Sequence, residues 1–167
     1  MTVELVTEPR PFHTSVRVPP GTPAFDRVGA AFGLVLPTAV GETSTAGPHT
    51  ALWLGPDEWL VVSDGAVPAL DGLLLAGERG LIVDVSANRT SLLLSGPDAR
   101  HVLEKGCPVD LHPRAFGPGN AVTATLARVP VVLWQTAPAA YRILPRTSFT
   151  AYVERWLRDA MAEYVAA

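Results

Sequence analysis

The chain has 167 residues, enough for one domain or two small lobes, and a chain of that size hides roughly 68–70% of its unfolded surface, so it can support its own core. It is 48% hydrophobic and only 17% charged, with a mean hydropathy of +0.24; with no membrane span to account for these values, they point to apolar surface reserved for a partner. The net charge is −3 and Lys105 is the only lysine, the arginines being scattered singly, so the basic stripe of a nucleic-acid binder is absent.

The single cysteine, Cys107, excludes an intrachain disulfide. Met1 to Arg10 carries Glu4 and Glu8 and no apolar core of a signal peptide. No apolar run approaches the roughly 20 residues of a membrane helix. The expected location is therefore the cytoplasm.

In chain order, Ser15-Val16-Arg17-Val18 alternates and stops at Pro19-Pro20, which predicts a short strand. Thr22-Pro23 is an N-cap followed by proline at the first helical position; Phe25, Val28, Gly29 and Phe32 then share a face, and Gly33 ends the helix. Gly41 to Thr50 is polar with Gly and Pro and reads as an exposed loop. Ala51–Leu54 and Trp59–Val62 predict two strands joined by the turn Gly55-Pro56-Asp57-Glu58. Leucines at 70, 73 and 74 predict a helix over Val67 to Ala76, and Leu81–Ser86 a strongly apolar, central strand.

The second half repeats this logic. Thr90–Ser95 predicts a strand, and Gly96-Pro97-Asp98 starts a helix that buries Ala99, Val102 and Leu103 and ends at Gly106. Cys107 to Asn120 is a long Pro/Gly-rich connection, of the kind that is often functional or docked on something. Ala121–Ala127, Val131–Gln135 and Tyr141–Leu144 predict three strands. Phe149, Tyr152, Val153, Trp156, Leu157, Ala160 and Tyr164 follow the i, i+3, i+4, i+7 rule of an amphipathic helix. The mixture predicts an α+β fold of two small lobes, residues 1–87 and 88–167, each an antiparallel or mixed sheet with helices on one face, together forming one compact unit.

Chemistry is sparse. There is no P-loop, no GxGxxG and no GxSxG in the chain. Cys107 and His112, with Asp110 between them, are the best metal or nucleophile candidates; a structural zinc would want four ligands and a Cys-His nucleophile an orienting third group, so a structural thiol and a surface histidine are the plainer assignment. Asp84, Ser86, Asn88 and Arg89 follow an apolar strand, where ligand groups often sit, but such residues also cap turns through local bonds, and that reading is favoured. Of the four tryptophans, Trp156 fits core packing on the helix stripe, whereas Trp134 beside Gln135 suits an interface.

Several stretches carry a resemblance. Leu52-Trp-Leu-Gly-Pro-Asp-Glu-Trp-Leu60, Val83–Ser86 with Leu94–Arg100, Leu103–Phe116 around Lys-Gly-Cys-Pro-Val-Asp-Leu-His-Pro-Arg, and Arg146–Leu157 together resemble the gamma subunit of heterotetrameric sarcosine oxidase. That resemblance implies a complex with alpha, beta and delta subunits that oxidises sarcosine with O2 and tetrahydrofolate to glycine, 5,10-methylenetetrahydrofolate and hydrogen peroxide. It also implies that FAD, FMN, NAD, zinc and folate belong to the other subunits, and that this chain resembles part of the folate-dependent aminomethyltransferase (T-protein-like) fold. Those transferases carry a glycine-rich turn and paired acids after the central hairpin; the corresponding Leu126–Gln135 here has neither Gly-Gly nor an acid. The expectation is a non-catalytic chain with no cofactor or metal of its own, docked on the alpha subunit, with Arg89, Arg114, Phe116 and Trp134 as candidate interface residues. The alternatives are a stand-alone degenerate folate-binding protein of the aminomethyltransferase type and an unrelated small regulatory domain.

Overall fold

The computed structural model describes residues 3–9 and 11–164. Its contacts divide the chain into two compact units: residues 11–87, called here the N-terminal unit, and residues 1–10 with 88–167, called here the C-terminal unit. The first ten residues thus belong with the second half of the chain. The reason is strand β1 (Glu4–Thr7), for which no strand was expected, and which pairs with a strand some 90 residues later.

The N-terminal unit is a five-stranded antiparallel sheet with one helix. Its strands are β2 (Phe12–Arg17), β3 (Thr43–Ala46), β4 (His49–Gly55), β5 (Glu58–Ser63) and β6 (Leu81–Asp84), in the order β3-β4-β5-β2-β6. Helix α1 (Pro23–Phe32) starts where its cap predicts: the Phe25 N–H donates to Thr22 Oγ1 at 3.3 Å. Gly33, at φ +68°, stops it, a conformation that costs glycine little. Ala24, Val28 and Phe32 pack with Val16, Trp59 and Val61 to form the core. Trp59 is fully buried and satisfies its indole N–H on Pro37 O at 2.7 Å.

Three expectations in this unit are corrected. Gly41 to Thr50 is not a bare loop: it contains β3 and the start of β4, where Thr45 Oγ1 and Thr50 Oγ1 pair at 3.0 Å across the strands. Val67 to Ala76 is not helical, because Gly72 takes φ +80° and breaks the run, although Leu70, Leu73 and Leu74 still lie against the core. Strand β6 is an edge strand, not a central one. It pairs only with β2 and leaves Leu81 50% and Val83 38% exposed. It ends at Asp84, whose Oδ1 accepts the Ser86 N–H at 2.8 Å and turns the chain into one 3-10 turn.

The C-terminal sheet adds β7 (Leu92–Ser95), β8 (Ala121–Leu126), β9 (Val129–Ala137) and β10 (Ala140–Pro145) to β1, in the order β1-β7-β10-β9-β8, again wholly antiparallel. Helices α2 (Ala99–Glu104) and α3 (Thr150–Met161) supply Val102, Leu103, Val153 and Leu157 to one core with Leu94, Leu133 and Ile143. The close approach of the two helices passes through Gly106, where a Cβ would lie 2.5 Å from the Trp156 ring. Lys105 Nζ donates to Ala160 O at 2.6 Å and pairs with Glu163, putting a cation on the carbonyl end of α3. Phe149 and Tyr152, placed by periodicity on the apolar stripe, are 41% and 51% exposed. The Tyr152 hydroxyl instead donates to Ala127 O at 3.0 Å.

Candidate functional site

The Cys107–Asn120 connection between α2 and β8 is ordered by its own contents. Cys107, Leu111 and Phe116 are buried in the unit's core. The Ala115 and Phe116 N–H groups both donate to His112 O, at 2.8 and 2.9 Å. Asp110 Oδ1 accepts the His112 N–H at 2.9 Å, and His112 Nδ1 accepts the Arg114 N–H at 3.2 Å. Both candidate polar side chains are therefore engaged with loop backbone. Burial pushes the Cys107 thiol above its ordinary pKa, which disfavours the thiolate that nucleophilic or metal chemistry needs. Among the described residues no group of three or more His, Cys, Asp or Glu is placed to hold a metal.

The four candidate interface residues have different environments. Arg114 presents its side chain to solvent. Phe116 is 6% exposed and is core, so its ring is not offered to a partner; the loop needs it to anchor its own turn. Trp134 lies in β9 and is 8% exposed, with the Arg142 guanidinium carbon 5.3 Å from its ring centroid, so it is a packed side chain and not a surface anchor. Arg89 is half-buried and donates to Leu144 O at 2.8 Å.

The polar cluster after β6 resolves into turn chemistry. Asp84 Oδ1 accepts the Ser86 hydroxyl at 2.5 Å as well as its N–H. Those two bonds hold the Asp84 carboxyl below its usual range, with His13 adding a smaller favourable charge effect. Ser86 Oγ in turn accepts the His13 N–H at 3.0 Å. Asn88, in the other unit, accepts from Arg146 at 3.2 Å.

The β8–β9 hairpin turns on Ala127 and Arg128, at φ +50° and +71°. Tight hairpins want positive φ at both central residues, and Asn-Gly is the usual choice. Here the turn is clamped from outside: Gly106 O accepts the Ala127 N–H at 3.0 Å, and Ala127 O takes the Tyr152 hydroxyl. Beyond it Val131, Val132, Leu133 and Trp134 are all buried, and no carboxylate occurs between Leu126 and Gln135. One feature escaped sequence reasoning. A cleft opens beside β9, lined by Arg100, Phe116, Gln135 and several prolines. Its one visible signal is the prolines Pro97, Pro113, Pro118 and Pro138, dispersed over three separate turns.

The architecture is aminomethyltransferase-like. It matches the crystal structure of the glycine cleavage system aminomethyltransferase T from Bartonella henselae with a TM-score of 0.64 over 98% of this chain and 46% of that one, at 12% identity. The model of the sarcosine oxidase, gamma subunit family matches residues 18–163. Sarcosine oxidase subunit gamma of Corynebacterium sp. (strain U-96) is 48% identical over 155 residues, covering 91% of this chain and 76% of the relative. The Arthrobacter sp. protein of the same name is 48% identical over 156 residues, covering 90% and 76%. Heterotetrameric sarcosine oxidase from Corynebacterium sp. U-96, solved in complex with pyrrole 2-carboxylate, contains a chain that matches with a TM-score of 0.88 and 43% identity, over 99% of this chain and 86% of that one. This chain belongs to the sarcosine oxidase gamma subunit family.

Proposed function

We propose that this chain is the non-catalytic structural subunit of a heterotetrameric sarcosine oxidase, holding or shaping the large alpha subunit beside beta and delta subunits. In this reading the assembled enzyme oxidises sarcosine with O2 and tetrahydrofolate to glycine, 5,10-methylenetetrahydrofolate and hydrogen peroxide. FAD, FMN, NAD, zinc and folate sit on the other subunits, and the complex is cytoplasmic. Family membership carries the subunit assignment. The Leu126–Gln135 hairpin carries the non-catalytic part: where proton transfer would require a carboxylate, it offers a clamped turn and buried apolar side chains. Asp110 and His112 are engaged with backbone, and the Cys107 thiol is shifted away from ionisation. The N-terminal unit leaves Phe12, Val35, Val40, Leu75 and Leu81 at 49–82% exposure, the kind of apolar area that a permanent subunit contact covers.

Likeness to an aminomethyltransferase fold keeps a second reading in play, a stand-alone degenerate folate binder. Tetrahydrofolate titration of the isolated chain, followed by tryptophan fluorescence and calorimetry, separates the two. We expect no saturable binding, together with co-elution of the chain with the other subunits in size-exclusion chromatography of co-expressed protein. Saturable binding by the isolated chain would end the non-catalytic reading. An active oxidase eluting without this chain would end the subunit reading.

A further inference from the structure

The N-terminal sheet ends on one side at β3 and on the other at β6. An edge strand leaves backbone N–H and C=O groups without a ladder partner, and folds usually blunt it with lysine, proline or a bulge. β3 is Thr-Ser-Thr-Ala, with hydroxyl side chains along most of its length. β6 is Leu-Ile-Val-Asp, pairs without a bulge, and carries neither lysine nor proline. Its one charge, Asp84, is turned back onto Ser86.

The register defines which backbone groups are open. The Val85 N–H donates to His13 O at 2.8 Å, and bonded and non-bonded pairs alternate along an antiparallel ladder. The β6–β2 bonds therefore fall at Val83 with Ser15 and at Leu81 with Arg17. Ile82 and Asp84 lie between these positions and direct their N–H groups away from β2, where no further strand follows. Ile82 packs its side chain on the core, so Leu81 and Val83 stand on the opposite face, 50% and 38% exposed.

A pocket of about 420 Å³ lies where this edge begins. Gly80 sits so close to β2 that a Cβ would come within 2.6 Å of Arg17 O and 2.9 Å of the Val18 side chain. One residue further along each segment, Pro19 and Arg79 form walls of the pocket, with Pro23 and Ala24 from the start of α1. Arg79 is exposed, and the acid beside it, Glu78, is taken by Arg27. Apolar walls and an uncommitted guanidinium thus follow directly on an open strand edge.

We propose that β6 is a docking edge: an extended segment of another oxidase subunit adds a sixth strand to this sheet, bonded to Ile82 and Asp84, with an apolar side chain in the pocket and an acidic one on Arg79. This rests on the subunit reading above. Strand addition draws affinity from main-chain bonds and specificity from side-chain pockets, and β6 offers both along one line. Charge favours a different chain over a second copy of this one. Two copies paired antiparallel, with Ile82 bonded to Ile82 or to Asp84, would set Arg79 opposite Val85 or Ala87 and leave its charge unmatched.

The test reads amide hydrogen exchange of this chain in the assembled oxidase. The Ile82 and Asp84 amides should exchange at least about tenfold more slowly there than in the isolated chain, because pairing closes them to water. Two variants probe the recognition. Val83→Lys places a charge on the exposed face beside the incoming strand, and Arg79→Glu reverses the charge at the pocket. Each should weaken retention of the chain, followed by native mass spectrometry on dilution, by at least about tenfold, with the melting temperature of the isolated variants unchanged. Equal exchange of both amides in complex and isolated chain, or wild-type retention of both variants, overturns the proposal. If sedimentation shows the isolated chain dimerising, with these amides protected in the dimer and open in the oxidase, the edge belongs to a second copy and the proposal is wrong. A wild-type chain that never stays with the other subunits refutes the subunit reading itself, a failure distinct from a retained chain whose amides stay open.

Discussion

Two long irregular connections show how differently a chain can order a loop. The segment from Asp64 to Gly80 joins β5 to β6, and the one from Gly106 to Asn120 joins α2 to β8. The second carries its own anchors: Leu111 is 1% and Phe116 6% exposed, and successive N–H groups close onto loop carbonyls. The first has no fully buried side chain; its leucines lie half-buried against the core, and Leu75 is 56% exposed. It is held mainly from outside, by Arg27, whose Nε donates to Leu73 O at 3.0 Å and whose Nη2 pairs with Glu78. A loop that contributes side chains to the core is part of the cooperative unit; one tethered by a surface ion pair can open by itself.

The largest expected effect tests the first half of that contrast. Phe116→Ala should cost about 3–5 kcal/mol of global stability, the usual toll of emptying a buried aromatic site. Leu75→Ser, the matching change in the other loop, should stay within about 0.5 kcal/mol. Urea titration of both variants decides, and equal losses would dissolve the distinction. It also follows that Phe116→Asp cannot be used to probe assembly with the fold left intact, because it puts a charge in the core.

A smaller effect is expected at the root of the second loop. A Cβ at Gly106 would meet the Trp156 ring at 2.5 Å, so Gly106→Ala must push α3 away and should cost about 1–3 kcal/mol. Trp156 fluorescence should shift with it. An unchanged melting temperature would show that the helix has room to give.

The smallest effect is local. Arg27→Ala should leave global stability near wild type while speeding hydrogen exchange at Leu75, whose N–H is bonded to Glu78 at 2.7 Å. The Arg27 hydrogen bond first, and the Leu75 N–H second, hold the Glu78 carboxyl below its ordinary pKa. A carboxyl lowered in the folded state stabilises above its unfolded pKa and loses that contribution as pH falls through the folded one. Acidification below the ordinary glutamate range should therefore reproduce the Arg27→Ala exchange pattern in residues 73–78. Exchange insensitive to both changes would remove Arg27 as the tether.

Much of the architecture could be read from local pattern because local chemistry decides it. Thr22, Pro23 and Gly33 bound α1 as capping rules require, and the Gly55–Glu58 turn sits between two strands. The errors have physical reasons. Leu70, Leu73 and Leu74 have helical spacing, but Gly72 within the run takes a left-handed conformation. Leu81–Asp84 is as apolar as a central strand, yet it sits at the sheet edge, and nothing in its own composition reports neighbours. Strand β1 was invisible for the same reason, since its partner β7 lies far along the chain. Among the candidate interface residues, residue type was misleading: Phe116 and Trp134 are used by the fold itself. The cleft beside β9 left only its dispersed prolines as a trace in the sequence, because its walls come from three turns far apart along the chain.

The pairing of β1 with β7 also sets an order of events during synthesis. The N-terminal unit is one unbroken stretch, residues 11–87, and can close as soon as that stretch has left the ribosome. The other unit cannot: Glu4 must find Ser95 across a complete intervening sheet, and β8, β9, β10 and α3 are still to be made when β7 emerges. Strand β1 is thus made long before its partner, and it waits as an unpaired edge until β7 emerges. Such long-range closure is slow. The nascent chain is most open to mispairing there, during the interval between the emergence of residue 87 and of α3.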